Sequence, residues 1–96
     1  GEMQARAARL GARMQERLAR MAATGLAAEV RGVGLWAGVD VPEGRGTGRD
    51  LAERLLARRV LVKDTHGRTV RLSPPIVIGR GDLDWALDQV ADALAG

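Results

Sequence analysis

The spacing of apolar residues changes period early in the chain, and that change limits the folds open to it. From Glu2 to about Met21, the residues Met3, Ala7, Leu10, Met14, Leu18 and Met21 recur three or four positions apart, the spacing of a helix with one buried face. From Glu29 to Val41 the period drops to two, with Val33, Leu35, Ala37, Val39 and Val41 on one side and Gly32, Gly34, Trp36 and Gly38 on the other. Such alternation predicts a strand. Three glycines remove all side chains but that of Trp36 from one side, which points to a close approach by something else on that face. Gly25 is placed to end the first helix in a left-handed conformation. Gly1 supplies no capping side chain, as expected of a chain cut from a longer polypeptide.

The same reading continues downstream. Pro42 to Gly48 is a polar, glycine-rich loop, and Asp50 to about Arg58 predicts a short helix with Leu51, Leu55 and Leu56 inward. Val60 to Lys63 predicts a second strand. The turn from Asp64 to Arg68 places His66-Gly67 where a positive φ is easiest, and Thr69 to Leu72 returns as a third strand. On that strand Val70 and Leu72 face the core and Arg71 faces away. Pro74-Pro75 donates no ladder hydrogen bonds and enforces an extended exit, followed by the apolar segment Ile76-Val77-Ile78. Gly79 then caps a final helix with Asp82 in its first turn and Leu83, Leu87, Val90, Ala91 and Leu94 inward. The expected architecture is α+β, a single domain over residues 1–96: a three-stranded antiparallel sheet in the order first, third, second, with helices covering one face only.

Composition restricts what such a domain can do. With 96 residues, no Phe or Tyr, and Trp36 and Trp85 as the only aromatics, the core must be built from Leu, Val and Ala. The absence of cysteine excludes disulfides and thiolate metal sites, and a cytoplasmic setting is the expectation. No apolar run reaches the roughly 20 residues that cross a bilayer, so no membrane partner is expected. The formal charge of +3 is unevenly spread. Arg6, Arg9, Arg13, Arg17 and Arg20 lie on the first helix, and Asp82, Asp84, Asp88 and Asp92 on the last, an arrangement that favours pairing between helices. Glu2 and Glu16 interrupt the basic row and no aromatic accompanies it, so nucleic-acid binding is the lesser reading.

Few residues can carry chemistry. Ser73 is the only serine and lacks a nucleophile-elbow pattern; His66 is the only histidine and has no second ligand at metal spacing. Gly44-x-Gly46-x-Gly48 matches neither phosphate-binding fingerprint. Lys63, the one lysine, is a poor Schiff-base nucleophile if exposed, because it stays protonated. Arg71 is different, since a guanidinium on a bare sheet face matches a carboxylate bidentately. Taken alone, an arginine there is an ordinary surface residue.

The run from Val62 to Ile78, with its Lys63-x-Thr65-His66-Gly67 turn and its Arg71-Leu72-Ser73-Pro74-Pro75 strand exit, resembles the carboxy-terminal small domain of class III aminotransferases of fold type I. Val30-Arg31-Gly32-Val33-Gly34-Leu35 resembles a strand of the same family, and the Thr-His-Gly turn its ornithine aminotransferase branch. The resemblance covers essentially the whole chain. It implies that Arg71 binds the substrate α-carboxylate, and that Lys63, Thr65 and His66 lie at a substrate-entrance turn. It also implies pyridoxal phosphate as cofactor, held by a lysine on a large domain this chain lacks. No catalytic residue and no metal site is therefore expected here, and the isolated chain should be inactive. The implied partners are that large domain, amino acid and 2-oxo acid substrates, and a second subunit in a homodimer. The acetylornithine and 4-aminobutyrate aminotransferases would share the fold and the arginine but usually not the Lys-x-Thr-His-Gly turn, and a non-catalytic basic scaffold or nucleic-acid module is the alternative of a different class.

Overall fold

The computed structural model describes residues 1–65, 67–75 and 78–96. His66, Ile76 and Val77, for which the sequence predicts a turn and an apolar segment, lie outside the described residues. The element order is α1 (Glu2–Ala23), β1 (Glu29–Val33), β2 (Trp36–Asp40), α2 (Gly48–Ala57), β3 (Lys63–Asp64), β4 (Thr69–Leu72) and α3 (Arg80–Ala95). The strands form one antiparallel sheet in the order β1-β2-β4-β3. The class is α+β as expected, but the sheet has four strands where three were expected.

The extra strand comes from the segment read as one continuous strand over 29–41. Its centre folds into a hairpin in which Val33 pairs with Trp36, leaving Gly34 and Leu35 as the turn. Gly34 adopts φ +59°, which a two-residue hairpin turn requires at its first central position and which glycine adopts without steric cost. The turn also inverts the side-chain phase. Val30 pairs with Val39 and Gly32 with Ala37 on the core face, whereas Val33, expected inward, is 76% exposed. Gly32 is needed because a Cβ there would lie 2.1 Å from the Trp36 carbonyl oxygen. The close approach expected on the glycine face is thus made, at this position, by the chain's own neighbouring strand.

Two boundaries and one inward residue also differ. Helix α2 begins at Gly48, ahead of the expected Asp50, because Thr47 and Asp50 form a reciprocal cap: Asp50 N donates to Thr47 Oγ1 at 3.1 Å and Thr47 N donates to Asp50 Oδ2 at 2.9 Å. Leu56, read as inward, is 59% exposed, one residue past the fully buried Leu55. The strand expected over 60–63 pairs only at Lys63–Asp64. Val60 N is already committed to Leu55 O at 2.8 Å and Arg59 N to Leu56 O at 2.9 Å, closing α2 in a Schellman motif with Arg59 at φ +67°. The chain therefore leaves α2 by a helical terminator and joins the sheet late.

Packing follows the apolar stripes. Leu10, Met14, Leu18 and Met21 of α1, Leu51 and Leu55 of α2, and Leu83, Leu87, Val90, Ala93 and Leu94 of α3 close over Ala37, Val39, Val70 and Leu72 of the sheet. The opposed helix charges meet: Arg13 forks onto Asp84 at 2.6 and 3.0 Å, and Arg17 reaches Asp88 at 2.8 Å. Those two arginines of the basic row serve helix pairing. The far side of the sheet carries no helix, and Glu29, Arg31, Val33, Trp36, Lys63 and Arg71 stand exposed on it.

Candidate functional site

Strand register assembles the bare face into cross-strand rows. One row reads Arg31, Gly38, Arg71, Lys63, one residue from each strand in sheet order. The adjacent row reads Glu29, Asp40, Thr69. Side chains paired in this way share a face and stand as near neighbours, so basic and acidic groups alternate between the rows.

Arg31 is fully engaged. Its guanidinium donates to both Asp40 oxygens at 3.1 and 3.2 Å, to Glu29 at 3.4 Å and to Thr69 Oγ1 at 3.5 Å. Thr69 Oγ1 in turn donates to Asp40 Oδ1 at 2.5 Å. To make these bonds Arg31 lies flat across Gly38, whose absent side chain leaves its guanidinium carbon 3.7 Å from where a Cβ would be. The hydrogen bonds from Arg31, joined by that from Thr69, hold the Asp40 carboxyl below the ordinary aspartate range despite partial burial. Sequence reading missed this network, although Gly34 at a hairpin position was the available signal: once the turn is placed there, Arg31 and Asp40 fall on one face.

Arg71 stands in a different condition. It is exposed on β4, with Val70 and Leu72 buried on either side of it, and among the described residues no hydrogen bond or ion pair engages its guanidinium. It shares an open concavity with Trp36, Leu61, Val62, Lys63 and Ser73. Lys63 is Arg71's register partner on the edge strand. Thr65 instead closes the turn behind them, its N–H and hydroxyl both donating to the Thr69 carbonyl at 3.1 and 3.3 Å. The structure thus brings Arg71 and Lys63 together, holds Thr65 within the turn, and leaves His66 outside the described residues.

The other candidates have local explanations. Gly48 N donates to Gly67 O at 2.9 Å, so that amide of the glycine-rich loop is already satisfied. Among the described residues no three of His, Cys, Asp and Glu converge as a metal site, and no helix is long and apolar enough to cross a membrane.

A guanidinium that is unengaged among the described residues, with a lysine opposite it on an open sheet face, is suited to gripping an anionic group presented from outside the domain. Comparisons with known proteins bear on what presents it. Residues 1–94 match the family model described as aminotransferase class-III. An ornithine aminotransferase of Bordetella pertussis is 47% identical over 85 residues, covering 88% of this chain and 20% of that protein. One from Bacillus subtilis is 41% identical over 66 residues, 69% of this chain and 16% of that protein. Among solved structures, a transaminase with L-alanine superposes with a TM-score of 0.85 at 30% identity, covering 98% of this chain and 24% of that one. The Toxoplasma gondii ornithine aminotransferase, described with pyridoxal phosphate at partial occupancy in its active site, gives 0.82 at 29% identity, covering 97% and 22%. The chain thus spans about a fifth of the length of the curated relatives it matches.

Proposed function

The chain belongs to the class III aminotransferase family, and on that premise we propose that it is the carboxy-terminal, substrate-positioning domain of an ornithine δ-aminotransferase. The reaction would move the δ-amino group of ornithine to 2-oxoglutarate, giving glutamate semialdehyde and glutamate. One observation carries the reading: Arg71, in its Arg-Leu-Ser-Pro-Pro setting, presents an unengaged guanidinium on the bare face of the sheet. Its planar fork would hold the α-carboxylate of the amino or oxo acid through two parallel charge-assisted bonds. Fixing that end of the substrate removes rotational freedom before reaction, which lowers the entropic part of the barrier.

Class III aminotransferases use pyridoxal phosphate, and the described residues do not fit it. Lys63 is the chain's only lysine and sits on an edge strand. None of the residues lining the Arg71 concavity is a carboxylate that would pair a pyridinium nitrogen. The cofactor and its lysine are assigned to a large domain of the same enzyme, and the 96-residue chain alone is assigned no turnover. A cytoplasmic homodimer completes the proposal.

The test is kinetic. The full-length polypeptide carrying this domain should form glutamate semialdehyde from ornithine and 2-oxoglutarate faster than it uses acetylornithine or 4-aminobutyrate. Arg71→Met should cut kcat/KM by about 30-fold or more, the scale of losing a charge-assisted bidentate contact. A preference for acetylornithine or 4-aminobutyrate would move the domain to those relatives, and an Arg71→Met enzyme of undiminished efficiency would remove Arg71 from the site.

A further inference from the structure

Asp40 lies on β2, and strand register sets two arginines at the same offset from it. On β1, Arg31 pairs with Gly38 and Glu29 with Asp40; on β4, Arg71 pairs with Gly38 and Thr69 with Asp40. Each arginine is therefore a diagonal neighbour of Asp40 on the bare face. Diagonal neighbours stand about 7–8 Å apart, within reach of a long side chain. Of the two, Arg31 holds the carboxylate. It crosses Gly38, which has no side chain to obstruct it, and donates to both Asp40 oxygens at 3.1 and 3.2 Å. Thr69, the residue of β4 that faces Asp40, donates to Oδ1 at 2.5 Å. These three bonds fill most of the roughly four acceptor positions of a carboxylate.

An acid fixed on the neighbouring strand is a standing competitor for Arg71. It is never diluted, and whatever fraction of the time Arg71 spent on it would weaken the apparent affinity for an incoming carboxylate in proportion. Resting on the aminotransferase reading above, we propose that Arg31 is a positioning residue that acts through Asp40. By saturating that carboxylate it keeps Asp40 off Arg71, and leaves the Arg71 guanidinium to the α-carboxylate of the substrate. Arg31 itself touches no substrate. The competition is internal to this sheet, so it is the same whatever group a large domain brings to Arg71.

The test is a mutant cycle read on KM in the full-length polypeptide carrying this chain. Arg31→Met releases Asp40 and should raise KM for 2-oxoglutarate about three- to sixfold, the share of Arg71 that an ordinary exposed ion pair would hold. The maximal rate should not change, because saturating substrate displaces Asp40. Removing the competitor as well, in Arg31→Met/Asp40→Asn, should return KM to the parent value, and Asp40→Asn alone should leave it there. A purely structural tie predicts otherwise, since all three variants break the same fork and the double variant would be no better than the single. Arg31→Lys, which keeps a cation beside Asp40, should stay near the parent. The Arg31 side chain is 48% exposed, so its loss opens no core cavity; should Arg31→Met nevertheless not fold, the shorter polar Arg31→Gln takes its place in the cycle. Equal KM increases in both single variants and the double, or an unchanged KM on loss of Arg31, would overturn the inference. Either result leaves the aminotransferase reading standing, whereas absence of amino transfer by the unaltered polypeptide would remove both.

Discussion

Arg31 grips Asp40 through both carboxylate oxygens, at 3.1 and 3.2 Å, across the β1–β2 pair. This fork fixes two strands of the bare face to each other, and the hydroxyl of Thr69 extends the tie to β4 at 2.5 Å from Asp40. The same face thus carries one engaged arginine, Arg31, and one, Arg71, whose guanidinium has no hydrogen bond or ion pair among the described residues.

Acid stability should report the fork. Asp40 has a folded-state pKa depressed first by Arg31 and then by Thr69, so its contribution is fully present above the unfolded value of about 3.9 and is lost as pH falls through the lower folded value. Asp40→Asn removes this term. With Arg31 half exposed, the cost near neutral pH is about 1 kcal/mol or less. Urea unfolding between pH 5 and pH 2.5 should show a shallower acid decline in the variant than in the parent. Asp84, lowered by Arg13, and Asp50, lowered by the Thr47 backbone and hydroxyl, will preserve part of the slope. Parallel pH profiles for the two proteins would show that Asp40 is not tied in solution.

Adjacent leucines on α2 provide a test of burial with sequence context held constant. Leu55 is fully buried and Leu56 is 59% exposed. Leu55→Ala should lose about 3 kcal/mol, combining lost transfer energy with a cavity in a core that has no aromatic side chains to spread into it. Leu56→Ala should stay within about 0.5 kcal/mol of the parent. Denaturant midpoints measured on both variants decide it, and comparable losses would mean that α2 is rotated from the orientation described.

Arg59 holds a left-handed conformation, φ +67°, where a Schellman terminator ordinarily places glycine. A side chain there pays a steric cost of about 1 kcal/mol or more. Arg59→Gly should therefore raise thermal stability, offset in part by the extra backbone freedom of glycine in the unfolded chain. A lower melting temperature would show that the Arg59 side chain makes a compensating contact.

The amino-acid sequence by itself determined the three helices, most of their inward stripes and the place of Arg71 on its strand, because these depend on local period and on turn residues a few positions away; Met3 and Leu56, read as inward, stand 61% and 59% exposed. The α1 and α3 stripes needed only the 3.6-residue repeat. Arg71 needed only its place between Val70 and Leu72, which both turn inward. The attraction between α1 and α3 was legible too, since it depends on which charges each helix carries and not on their exact partners. What the tertiary structure alone decided is register. Alternation over 29–41 does not reveal that Gly34 reverses the chain, and one reversal moves Val33 to solvent and creates a fourth strand. Register likewise brought Arg31 over Gly38 and set Lys63 opposite Arg71. Those contacts join residues distant in sequence, and the physical reason they escape a linear reading is that each is fixed by strand pairing and not by any preference of the residues themselves.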